Sequence, residues 1–187
     1  HCISSAASDV YKRQLLVWEL AGVVFTVMAG ALLHFVYEWS GGSPLAAAFS
    51  AVNESTWEHM KLLFFPMFLF SAVQAGFLGR TYPNILAVRA VSTLVGVILI
   101  PVLFYTYTGV LGYHVMWADI AVFALAALTA FILDFRLLRR GRFADGWQQV
   151  LGLIVLWGLA FAFVYCTFRP PQLALWQDPI TMTRGIP

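Results

Sequence analysis

LLVWELAGVVFTVMAGALLHFV, residues 15–36, decides the fold. With a rise of 1.5 Å per residue, this run spans about 33 Å as a helix, enough to cross a hydrocarbon core of roughly 30 Å. Only Glu19 and His34 interrupt its apolar character. No soluble helix needs so long an unbroken apolar surface, so the stretch predicts a membrane span. Four more runs of the same kind follow, at about Met60–Leu78, Ile85–Tyr107, Trp117–Phe135 and Trp147–Phe168. The second and third carry Pro66 and Pro101, which remove a backbone donor and predict kinks that a membrane bundle tolerates.

The whole chain agrees. Its 187 residues are 61% hydrophobic and 11% charged, with mean hydropathy +0.81. A soluble domain carries roughly 25% charged residues and needs a polar shell that this chain does not have. The expected fold is therefore all-α: a polytopic transmembrane bundle of five helices, with a bilayer as its partner. A formal net charge of +2 and scattered basic residues exclude a nucleic-acid surface. Two cysteines, Cys2 and Cys166, lie at opposite ends and form neither a disulfide framework nor a CxxC motif.

Three regions are expected. Residues 1–14, with the polar stretch SSAASDVYKRQ, resemble translated adaptor read-through and read as a non-native leader. Residues 15–168 form the transmembrane domain, and residues 169–187 form a Pro-rich tail. Between the first two spans, Ser43-Pro44 predicts the start of a short interfacial helix over about Pro44–Val52, and Asn53 is the expected N-cap of the second span. Pairs of small residues four apart, Ala72/Gly76, Ala126/Ala130 and Gly158/Ala162, suit close helix packing within the bundle or in a homo-oligomer.

Charge bias predicts the orientation. Arg80, Arg89, Arg136, Arg139, Arg140 and Arg142 fall on one side, Lys61, Arg169 and Arg184 on the other. The positive-inside rule puts the first side and the amino end in the cytoplasm and the tail outside, as a multi-pass cell-membrane protein. Trp18, Trp39, Tyr113, Trp117, Trp147 and Phe168, near span ends, suit an aromatic belt.

On that reading the outer end collects His34, Glu38, Glu54, Glu58, His59, His114, Asp119 and Asp178. His34 and Glu38 are four apart and share a helix face, the spacing of two ligands to one metal. Glu54, Glu58 and Lys61 share another face, with His59 turned about 100° away, beside Ser55. A divalent metal such as zinc needs three or four such donors, with His34, Glu38, Glu58 and His114 or Asp119 as the candidate set and Glu54 as general base. The alternative is structural: Glu58 pairs with Lys61, Asn53 and Glu54 cap the helix, and the histidines bond in the headgroup region. Glu19 is expected to pair with Arg80 or Arg89, or to relay protons, and Asp134 to lie at the cytoplasmic side.

The block NESTWEHMKLLFFP, residues 53–66, preceded by His34-Phe35 and Trp39-Ser40-Gly41, resembles the signature of a family of small bacterial polytopic integral membrane proteins, a domain of unknown function. The tail is similar too, in Pro170-Pro171, Leu175-Trp176, Asp178-Pro179 and Gly185, with Arg184 standing where the family tends to carry an aromatic residue. The resemblance implies a membrane fold and no activity. Two prolines and an exposed tryptophan predict a tail that forms no helix, with Trp176 positioned to anchor it across the outer mouth. Three functions fit these residues: a polar cluster that binds a small ligand or metal, a membrane-embedded metal-dependent hydrolase of lipid or peptide at the outer leaflet, or a small transporter or complex subunit.

Overall fold

The computed structural model describes residues 2–186, with side chains from residue 10 onward; the side chains of residues 1–9, Cys2 and much of the expected leader among them, lie outside the described residues. The described residues form six α-helices and one short 3-10 turn: α1 (Cys2–Trp39), α2 (Pro44–Phe49), α3 (Thr56–Leu78), α4 (Ile85–Leu111), α5 (Met116–Arg139), α6 (Gly146–Phe168) and the turn Ala174–Trp176. Five of them are long and apolar enough to cross a membrane: Val10–Trp39 within α1, then α3, α4, α5 and α6. The short α2, begun by Pro44 at its first turn, is the expected helix between the first two spans.

α4 is central. It packs against α3, α5 and α6, while α1 closes the far side of the bundle against α3 and α5. Burial follows this plan: 56% of the most apolar window of α3 and of α4 is enclosed, against 28%, 28% and 22% for α1, α5 and α6. The three outer helices turn large apolar side chains such as Val24, Ile120 and Phe161 outward, the reverse of a soluble fold and the arrangement a lipid solvent favours. Trp39, Tyr113, Trp117, Trp147 and Phe168 are exposed at helix ends, whereas Trp18 packs on Phe70 and Phe77.

Small residues set how closely the helices approach. A Cβ on Gly152 would lie 2.7 Å from the Ala87 backbone, so α6 can lie on α4 only with glycine there. Ala126 and Ala130 are fully buried and pack inside the bundle against α4. Gly76 and Gly158, from the other two small-residue pairs, face open space. Both α3 and α4 run unbroken through Pro66 and Pro101.

Several local expectations are corrected. The N-cap of α3 is Ser55, whose side chain accepts from Glu58 N, and Asn53 instead bonds back to Ser55 N (2.9 Å) and forward to the tail at Gly185 O (2.8 Å). Arg89 lies within α4 rather than in a loop and pairs there with Glu19 as expected, and Asp134 lies within α5. Both are fully buried inside the bundle, in contact with each other and, through Arg89, with Glu19. Lys61 is also fully buried, so Arg169 and Arg184 are the basic side chains left at its end of the bundle. Trp176 is half-buried rather than exposed, its ring 4.6 Å from that of Trp57.

Candidate functional site

The site lies at the end of the bundle where α1 finishes, α3 begins and the tail folds back. Ser55 starts α3, so Glu54 sits before the helix and is released from the helical periodicity that would align it with Glu58. Its carboxylate swings to the side of His59. Glu54 Oε2 lies 3.5 Å from His34 Nε2 and 3.6 Å from His59 Nε2, and the two imidazole rings meet edge to face at 5.4 Å. One ligand atom from each residue falls within 4.8 Å of the others. All three side chains are partly exposed.

Backbone groups orient this cluster. His59 Nδ1 lies 3.0 Å from the Ser55 carbonyl, which can only accept, so Nδ1 carries a hydrogen and Nε2 faces Glu54. Glu54 N donates to Asp178 Oδ2 at 3.5 Å, which ties the cluster to the tail. Contact with the His34 imidazole holds the Glu54 carboxyl below the usual carboxylate range, overcoming its partial burial. Asp178 is held low as well: burial alone would raise it, but donation from the backbones of Ile180 (2.7 Å), Thr181 (3.3 Å) and Glu54 outweighs that effect.

A cleft of about 80 Å³ opens beside the cluster. Glu54, Thr56 and His59 form one wall, His114 and Asp119 another, with Ile100, Phe104 and Phe123 apolar beneath and Pro179 of the tail above. On the second wall His114 Nδ1 lies 3.2 Å from Asp119 Oδ2, and the Tyr107 hydroxyl bonds to Asp119 Oδ1 while accepting from Val115 N. Tyr107 had no signal of its own in the sequence. It reaches Asp119 because the α4–α5 hairpin folds the last turn of one helix onto the first turn of the next.

The structure therefore divides the sequence candidates into three groups. His34, Glu54 and His59 meet; His114 and Asp119 meet across the cleft; Glu38 and Glu58 join neither. Glu38 is exposed at the end of α1. Glu58 turns into the bundle, where its carboxylate lies 2.5 Å from Lys61 Nζ and accepts from Val52 N and Thr167 Oγ1. The four donors His34, Glu38, Glu58 and His114 thus do not share one centre. Glu54, read from the sequence as a general base, instead stands between the two histidines.

Five apolar helices, an outward apolar surface and polar groups gathered at one end define a polytopic integral membrane protein. Neither a curated protein nor a solved structure is similar enough to the chain to be matched. The chain belongs to a family of unknown function, DUF6512, whose sequence pattern matches residues 9–186.

Proposed function

We propose that His34, Glu54 and His59 form a divalent-metal site of the zinc type at the mouth of this bundle, which serves a small ligand held in the adjoining cleft. One observation carries the reading. Around a tetrahedral zinc with bonds of about 2.0–2.1 Å, ligand atoms stand roughly 3.4 Å apart. The two contacts of Glu54, 3.5 and 3.6 Å, match that spacing. Two imidazoles and a carboxylate are a common zinc set that leaves a fourth position for water or ligand, and the bond from His59 Nδ1 to a carbonyl is the outer support such ligands usually have.

A second reading, metal-dependent hydrolysis of a lipid or peptide, draws on the His114–Asp119 pair across the cleft, which has the composition of a general base oriented by a carboxylate. When bound, the metal would supply an activated water. His114 would then accept a proton, Asp119 would orient its ring, and the apolar floor would exclude bulk water.

The orientation belongs to this proposal. Arg80, Arg136, Arg139, Arg140 and Arg142 cluster at the far end, against Arg169 and Arg184 near the site. The positive-inside rule then turns the cleft and tail away from the cytoplasm, at headgroup level.

Elemental analysis of the purified, tag-free protein in detergent tests the reading. Near-stoichiometric zinc or another transition metal is expected in the parent and in Glu38→Ala, and is expected to be lost in His34→Ala, His59→Ala and Glu54→Ala. A folded parent that takes up no metal after incubation with zinc overturns it, as does retention in all three ligand variants. Hydrolysis of lipid or peptide esters that is lost in His114→Ala with metal retained would select the second reading.

A further inference from the structure

Toward the Arg-rich end, the bundle encloses a second group of polar side chains, one from each of four helices: Glu19 of α1, Gln74 of α3, Arg89 of α4 and Asp134 of α5. None is more than 3% exposed. Arg89 Nη2 lies 3.2 Å from Glu19 Oε2 and 3.0 Å from Asp134 Oδ2, and it also bonds to Gln74 Oε1. Gln74 donates to Glu19 Oε1 at 2.8 Å, and Ser92 donates to Asp134 Oδ1 at 2.7 Å. The guanidinium lies 4.8 Å from the centre of the Phe131 ring. On the side of the Arg-rich end, Leu15, Leu78, Ile85, Val88 and Leu138 form an apolar plug, and the main core closes the other side.

Charge and hydrogen-bond supply do not balance in this group. Two carboxylates face one guanidinium, which leaves a net negative charge if all three are ionised, and an uncompensated buried charge costs several kcal/mol. Moreover, a single nitrogen of Arg89 serves both acids. Its Nε and Nη1 have no acceptor, and the 3.0 Å approach of Nη2 to Asp134 Oδ2 is an ion pair without the alignment of a hydrogen bond, although all of these atoms are buried. Glu19 Oε2 and Asp134 Oδ2 approach the same nitrogen, at 3.2 and 3.0 Å, so a hydrogen on either acid removes the negative charge that the one guanidinium leaves unmatched. No titratable side chain of α6 joins the group. Tyr82, in the α3–α4 turn, and Arg139, at the end of α5, act on it only from outside: the Tyr82 hydroxyl bonds to Tyr11 O, and the Arg139 guanidinium lies over Phe135.

We infer that Glu19 and Asp134 hold one exchangeable proton between them, so that the Arg89 cluster is a proton-binding site inside the bundle. The proton neutralises the group and supplies the donor that Asp134 Oδ2 lacks. Because plug and core seal the site, exchange requires α1 to part from α3 and α5. A Cβ on Gly22 would meet the Phe131 and Phe70 rings at 2.3–2.7 Å, so α1 is held close just above Glu19. Proton occupancy is thereby linked to the packing of α1. Buried ionisable groups inside a membrane bundle mark such relays, and this one is independent of the metal site.

Infrared spectroscopy of the full chain in lipid vesicles at neutral pH, with Glu19→Gln and Asp134→Asn beside the parent, tests this. Circular dichroism and gel filtration establish that the variants fold. The parent should show the C=O stretch of one protonated carboxyl, shifting only slowly in D2O. Each amide variant should lose it, since the one remaining carboxylate is then neutralised by Arg89. Arg89→Gln, if it folds, should show about twice the parent's amplitude. No protonated carboxyl in the parent overturns the inference, and so does a band that survives both substitutions or is removed by only one of them.

Discussion

Glu54 and Glu58 stand four residues apart in one motif, and the structure uses them in opposite ways. Glu58 is enclosed, 2.5 Å from a lysine, with its oxygens also accepting from Val52 N and Thr167 Oγ1. Lys61 in turn donates to Ala47 O and Thr167 Oγ1, both at 2.9 Å, so its three hydrogens are all used. This clasp joins α2, α3 and α6. Glu54 is half open to solvent and lies 3.5 and 3.6 Å from the two imidazoles. The first glutamate closes a structure, and the second stands between two imidazoles at the surface. The difference comes from where the helix starts: Glu58 lies inside α3 and obeys its periodicity, whereas Glu54 precedes the Ser55 cap and does not.

The largest effect should come from breaking the clasp. Lys61→Met leaves the Glu58 carboxylate buried without its cation and is expected to destabilise the fold by about 3–5 kcal/mol. The double variant Glu58→Met, Lys61→Met removes both charges and should recover most of that loss. Denaturant unfolding in detergent measures both. Equal instability of single and double variants would show that the pair acts through shape rather than charge, and the contrast with Glu54 would lose its basis.

Next is the tie between tail and motif. Asp178 is buried and accepts from three backbone N–H groups, so Asp178→Asn should loosen the tail at a cost of about 1–3 kcal/mol, read as faster proteolysis after Phe168 and as changed fluorescence of Trp176 on Trp57. The pH dependence follows from the sign of its shift. A carboxyl lower in the folded than in the unfolded state contributes stability that is fully present above the unfolded value, and this is lost as pH falls through the folded one. The parent's tail should therefore loosen below the ordinary carboxylate range, and the Asn variant should show no such step.

How much of this was legible in the sequence depends on whether the reading stayed within one helix. The five spans, the short helix after Pro44 and the Glu58–Lys61 pair follow from hydropathy, from a proline at a helix start and from i,i+3 spacing, and all are present. The Arg89 cluster brings together residues 19, 74, 89 and 134, which no local spacing relates; the sequence offered Arg89 as a partner for Glu19, and that pair is present, but nothing in it joined Gln74 and Asp134 to the same guanidinium. The triad failed for a smaller reason. Placing the cap at Asn53 instead of Ser55 puts Glu54 on the helix and on the face of Glu58, away from His59.

That cap is itself testable. Ser55→Ala removes the side-chain acceptor for Glu58 N and should cost about 1 kcal/mol. Because it leaves the Ser55 carbonyl in place, the bond to His59 Nδ1 should survive, and metal content should fall less than in His59→Ala. An equal fall would mean that the cap positions Glu54 more tightly than the carbonyl orients the imidazole.

The smallest effect on stability should come from Glu54 itself, and the comparison turns on it. Glu54→Gln removes an exposed charge whose contacts with His34 and His59 are long, and such pairs contribute about 0–1 kcal/mol. The fold should barely notice, while metal content should collapse, since an amide oxygen is a far poorer ligand than a carboxylate. Lys61→Met should do the reverse: a large loss of stability, with metal still bound by whatever fraction remains folded. If Glu54→Gln instead destabilised the protein as much as breaking the clasp, the triad would be one more structural pairing.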